Sequence, residues 1–244
     1  FIFLVCLQQK ELNLFTQIHL ELLNWPKVSE IFKAINELPL LKLIGTTILI
    51  TMLSAGIAIG TPAIGLMIWP SQMGTRIQSV IWLFFRLLPL PLIALLLLLC
   101  TNPTVSVAAL SLGISNIGVM GRLLKENLQN QNNSLFDAIK STGSSNQIAL
   151  LYGKLSKQSK SYLALASYRA DVLLRETAVV GVVGGVGLGW QLQESLSSFA
   201  WSEVIVITTV FTLITLIGEC ISDKARQYWI NTTTTTSNEM SLQS

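Results

Sequence analysis

From Leu43 to Trp69 the chain contains no Asp, Glu, Lys or Arg. Wound as a helix rising about 1.5 Å per residue, such a run reaches ~40 Å, more than the ~30 Å of hydrocarbon in a bilayer. Inside lipid every backbone N–H and C=O needs a protein partner, which a helix supplies along its own length. The pattern recurs along the sequence. Val80 to Cys100 carries only Arg86, "TVSVAALSLGISNIGVMG" from Thr104 to Gly121 carries no charge, and Val204 to Ile221 carries only Glu219. The 16 Lys/Arg and 13 Asp/Glu of the 244 residues gather between these runs, and 51% of the chain is hydrophobic. The fold class this implies is all-α, a polytopic helical membrane protein.

Composition then excludes several function classes. A net charge of +3 with no basic run gives no footprint for nucleic acid. Cys6, Cys100 and Cys220 lie in or beside apolar runs without CxxC spacing, which reads as small hydrophobes. His19 is the single histidine, with no second ligand at useful spacing, so neither a metal site nor a Ser/His/Asp arrangement is expected. No GxxxxGK[ST] occurs, so ATP has no Walker A loop here. The chain is expected to bind no cofactor and not to be an enzyme by itself; an ATP-driven process would need its ATPase on another polypeptide.

Along the chain, Phe1 to Leu7 is apolar from its first residue and reads as the tail of a truncated first span, or as a signal-peptide remnant. Residues 8–40 mix apolar and charged positions and predict one or two amphipathic helices outside the bilayer. Complete spans are expected at Leu43–Trp69, with Gly60 and Pro62 kinking or ending the helix, at Val80–Cys100, from Thr104 to Gly121, at Tyr168–Trp190 and from Val204 to about Ile221. The transmembrane domain thus runs 41–229, with five complete spans after the truncated one, and residues 230–244 form a low-complexity, disordered tail. Arg122, Lys125, Lys140, Lys154, Lys157 and Lys160 crowd one polar loop at 122–160, and Lys224 and Arg226 follow the last span; the opposite loops lack Lys and Arg. By the positive-inside rule that loop and the C-terminus are cytoplasmic.

Two segments have features beyond hydropathy. "SLFDAIKSTGSS" has the form of a short capped helix: Ser134 caps it, Asp137 reaches back, Gly143 supplies a left-handed stop, and Leu135, Ala138, Ile139 and Thr142 share one side. Two turns are not stable alone, so the helix packs on its own protein or docks on a cytoplasmic partner. In "YRADVLLRETAVVGVVGGVGLGW" the neutral part, Thr177 to Trp190, covers only ~21 Å, so Arg175 and Glu176 sit at or inside the membrane edge. Asp171 and Arg175 are spaced i, i+4 with the acid first, the favourable order. Charges at bilayer depth cost about 2.5 kcal/mol or more each, so Arg169, Asp171, Arg175 and Glu176 are expected to face protein or water. They form an ion-pair cluster, or an arginine meets a passing oxyanion. Arg86 has the same two readings, with snorkelling as the plain one. Thr177, Gly181, Gly185 and Gly189 recur every four residues, a small-residue stripe for close packing within the subunit or against a second copy.

These residues resemble a known family. Asp137-Ala138 followed by Gly143, with Leu155 further on, is similar to the EAA loop of ABC importer permeases. "RLLP" at Arg86–Pro89, "YRADVLLR" at Tyr168–Arg175 followed by "GVVGGVGLG", and the spacing of Glu219, Ser222 and Arg226 resemble the permeases of phosphonate importers. The resemblance implies a type I ABC importer permease fold and an inner-membrane subunit of an importer for phosphonate or a related phosphorus oxyanion. It implies as partners a cytoplasmic ABC ATPase, which holds the ATP and Mg, a periplasmic substrate-binding protein and a second permease copy. Leu135, Asp137, Ala138, Ile139 and Gly143 would form the coupling helix seated on the ATPase. Departures are Asp137 for Glu, Ile139 for the second Ala, and Ser156 for the Pro after Leu155. Other solutes, such as methionine or an inorganic anion, and a secondary transporter or membrane scaffold, are the competing readings.

Overall fold

The computed structural model describes residues 26–129 and 134–242, and every element among them is helical. The expected truncated span at Phe1–Leu7 and most of the segment after it lie outside the described residues. The end of that segment is an amphipathic helix, α1 (Val28–Glu37), packed on the last helix of the chain.

The neutral run becomes α2 (Leu40–Ile68). Pro62 does not end it. Pro62 is fully buried in the helix and lacks the N–H that would reach Ala58; one residue along, the carbonyl of Ile59 accepts a hydrogen bond from the Tyr162 hydroxyl at 2.9 Å. A side chain from a neighbouring helix thus supports the backbone that the proline loosens.

The expected single span at Val80–Cys100 is two helices, α3 (Gln72–Leu87) and α4 (Leu90–Cys100), bent by 95°. The cause is local. Pro89 disfavours the helical region for the residue before it, and Leu88 is extended, with φ −77° and ψ 124°. α5 (Val105–Gln129) runs on past the expected end at Gly121, so the polar loop begins about two turns later.

A short helix α6 (Ser134–Ser141), α7 (Asn146–Leu150) and a π-helical stretch, Leu151–Leu155, lead into α8 (Ser156–Gly184). Gly185 closes α8 with a left-handed φ of 66°, and α9 (Gly187–Ser197) leaves at 56°. The glycine stripe therefore does not run along one helix. α10 (Trp201–Leu242) is continuous and includes residues 230–242, where a disordered tail was expected. Low complexity argues against a packed core, but it does not prevent extension of a helix that is already nucleated.

The core lies where α2, α5 and α8 meet. One cluster joins Ala58, Leu66, Trp82, Met120, Leu124 and Tyr162; another joins Ile50, Ala108, Leu112, Leu173 and Val180. The most apolar stretch of α5 is 61% buried and that of α10 is 11% buried, so α5 is the central element and α10 a peripheral one. By length and composition α2, α5 and the Trp201–Trp229 part of α10 can each cross a membrane, and counting each bent pair, α3 with α4 and α8 with α9, as one span makes five.

Candidate functional site

α8 places Arg169, Asp171, Arg175 and Glu176 on two faces. Arg169 and Glu176 are seven residues apart, almost two full turns, and so share a side. Their side chains meet at 3.2 Å and are joined again through α5: Arg169 Nε donates to Asn116 Oδ1 at 2.6 Å, and Asn116 Nδ2 donates to Glu176 Oε2 at 2.9 Å. Asn116 is 1% exposed, and Arg169 and Glu176 expose 20% and 28% of their side chains. Each charge at membrane depth thus has an opposite charge and a shared amide beside it, which is what offsets its desolvation.

The second face looks toward α10. Arg175 bridges Asp171 at 3.0 Å and Glu219 at 3.2 Å. The expected i, i+4 pair is formed, but Glu176 sits with Arg169 rather than with its sequence neighbour Arg175. Asp171 is buried, and its Oδ1 has no hydrogen-bond partner among the described residues. Ser222 Oγ donates to the Ser167 carbonyl at 2.7 Å, tying α10 to α8 below this pair. Arg226 pairs with Asp223 of its own helix at 3.1 Å.

Arg86 joins neither group. It lies on α3 beside Gly118, and Gly118 and Asn116 project from nearly opposite faces of α5, being two residues apart. Sequence reasoning missed Asn116. Its signal was available: an amide in an otherwise apolar, neutral span is expensive unless it has a partner.

Gly181, Gly185 and Gly189 close the break between α8 and α9. A Cβ on Gly181 would lie 2.9 Å from Gly189 Cα and from the Val186 carbonyl, and one on Gly189 would collide with the Ala178 carbonyl. The bend is locked from α2, where Thr47 Oγ1 accepts the Leu188 N–H at 3.1 Å. Gly181 and Gly189 thus pack against each other within the chain.

At the other end, α6 protrudes. None of its residues is buried; Leu135 is 45% exposed, Ala138 and Asp137 are exposed, and Ile139 is half-buried. Gly143 has φ +85°, the left-handed stop expected of it. α6 is held from behind: Phe136 rests against Gly153, where a Cβ would lie 2.9 Å from Phe136 Cα, and Lys154 Nζ stands 5.0 Å above the Phe136 ring. A short helix with an anchored back and an exposed apolar front is suited to docking.

No protein-family model matches the chain. It is 25% identical over 120 residues to the phosphite transport system permease protein of Stutzerimonas stutzeri, covering 49% of this chain and 44% of that one. It is 26% identical over 121 residues to a permease named for the cryptic phosphonate transport system of Escherichia coli (strain K12), covering 50% of this chain and 99% of that one. The chain spans about half or less of the length of the other curated relatives it matches. A crystal structure of an amino acid ABC transporter superposes with a TM-score of 0.61 over 75% of this chain and 90% of that one, at 19% identity. The sequence relatives are permeases named for phosphite, phosphate and phosphonate transport, and the fold is similar to that of a chain of an amino acid ABC transporter. α6 is the segment that resembles the EAA loop, and the two charge groups on α8 are the "YRADVLLRE" segment folded.

Proposed function

We propose that this chain is the membrane-spanning subunit of an ATP-driven importer that carries phosphonate, phosphite or a related phosphorus oxyanion across the bacterial inner membrane. The observation that supports it best is the outer side of α6, with Leu135, Asp137 and Ala138 exposed and Ile139 half-buried beside them, ended by Gly143, on a chain with a fold like that of an ABC transporter chain. A cytoplasmic ABC ATPase, holding ATP and Mg, would dock there. A second permease copy would complete the pathway, and a periplasmic binding protein would deliver the cargo. α6 and the C-terminus would then lie in the cytoplasm, as the distribution of Lys and Arg requires.

The cycle is alternating access: ATP drives the ATPases together, α6 moves with them, and the spans switch the side to which they open. Arg169 is engaged by Glu176 and Asn116, which favours a structural role over contact with cargo. Relatives named for phosphite and phosphonate transport support the substrate class. The test is co-purification with an ATPase and a binding protein, followed by uptake of labelled methylphosphonate, phosphite and methionine by the intact complex. Uptake of a phosphorus compound is expected; uptake of methionine alone would overturn the substrate class, and a complex without an ATPase would overturn the importer.

A further inference from the structure

On α3, Ser79, Trp82 and Arg86 recur at helical spacing, and on α5 Gly118, Arg122, Lys125 and Glu126 do the same; the two faces meet around a cavity of about 260 Å³. Their approach is set by glycine. A Cβ on Gly118 would collide with the Trp82 carbonyl and lie 2.9 Å from the Arg86 nitrogen, and one on Gly121 would enter the Trp82 ring. Only so close a crossing lets cations from both helices reach one space.

The charges are unequal. Arg122 Nε is held by Glu126 at 2.6 Å, leaving the rest of its guanidinium free of that contact, and Lys125 Nζ donates to Ser79 Oγ at 2.7 Å. Arg86 has no ion pair among the described residues. Three cations thus share the cavity with one carboxylate, over a wall made by the buried Trp82. Lys125 and Gln129 also line a neighbouring cavity of about 390 Å³ under α6, together with Asp137, Lys140 and Lys154. Cationic side chains therefore line both cavities, with Lys125 common to the two. Planar guanidinium groups bind tetrahedral oxyanions through paired hydrogen bonds, and an ammonium adds a point charge.

We propose that the cavity between α3 and α5 binds a phosphate-type oxyanion, either free or as the phosphate of a lipid headgroup. This site is separate from the charge groups of α8, and its occupation does not depend on which solute the pathway carries.

The full-length protein, purified in a phosphate-free maltoside detergent, is titrated calorimetrically at low salt with inorganic phosphate and, separately, with a short-chain phosphatidylglycerol. Saturable binding of at least one probe is expected, weakened about ten-fold or more by Arg86→Gln or Arg122→Gln, the size of losing one charged hydrogen-bond partner. Phosphate binding that the lipid does not displace identifies a free oxyanion; lipid binding that excludes phosphate identifies a headgroup. If neither probe saturates, or if both variants bind within two-fold of the unaltered protein, the site does not exist. Because the isolated chain is titrated without ATPase or uptake, this failure is separate from failure of the importer reading.

Discussion

The two faces of α8 carry similar residues in different surroundings. Arg169 and Glu176 are mostly buried and share Asn116, whereas Arg175 and Glu219 are about half exposed, at 52% and 53% of their side chains. Equal Coulomb partners therefore contribute unequally. A half-exposed pair is screened and is worth about 0.2–1 kcal/mol, while a buried group left without its partner keeps its desolvation penalty.

Glu176→Ala should strand Arg169 and Asn116 and destabilise the protein by about 3 kcal/mol, read as a fall in thermal midpoint in detergent. The double variant Arg169→Met, Glu176→Leu should recover much of that loss, since it removes both charges; an equal loss in single and double variants would show that packing, not charge, matters on this face. Asp171→Ala should cost less, about 1–2 kcal/mol, because Arg175 keeps Glu219 and remains partly hydrated. Glu219→Ala should change stability by about 0.5 kcal/mol. If it matched Glu176→Ala, the contrast between the two faces would fail. Ala138→Lys, on the exposed front of α6, should leave stability within about 0.5 kcal/mol of the parent, read as a nearly unchanged thermal midpoint, while abolishing co-purification of an ATPase. That result would separate a docking surface from the structural pairs.

Some of this arrangement was legible in the sequence. The Asp171–Arg175 pair follows from a spacing of four, and the stop at Gly143 from the one residue that enters the left-handed region without strain. The Arg169–Glu176 pair was not legible, because its bridge, Asn116, comes from a helix more than 50 residues earlier. The glycine stripe misled for a related reason. A repeat of four predicts one continuous face, but Gly185 and Gly187 take positive φ, and the chain turns there against Thr47 of α2. The bend at Pro89 could have been foreseen from the restriction on Leu88; its angle could not.

By itself, then, the sequence determined that the chain is helical and lies in a membrane, since long neutral runs leave lipid as their solvent and helices as the means to satisfy the backbone there. It also marked α6 as a short helix with an apolar side. Only the tertiary structure decided which charge meets which, that two expected spans are bent pairs, and that Arg86 stands with Arg122 and Lys125 rather than with Arg169. Periodicity records which face of a helix a residue occupies. What lies opposite that face depends on how closely two helices approach, and here that distance is set by small residues such as Gly118 at the crossings.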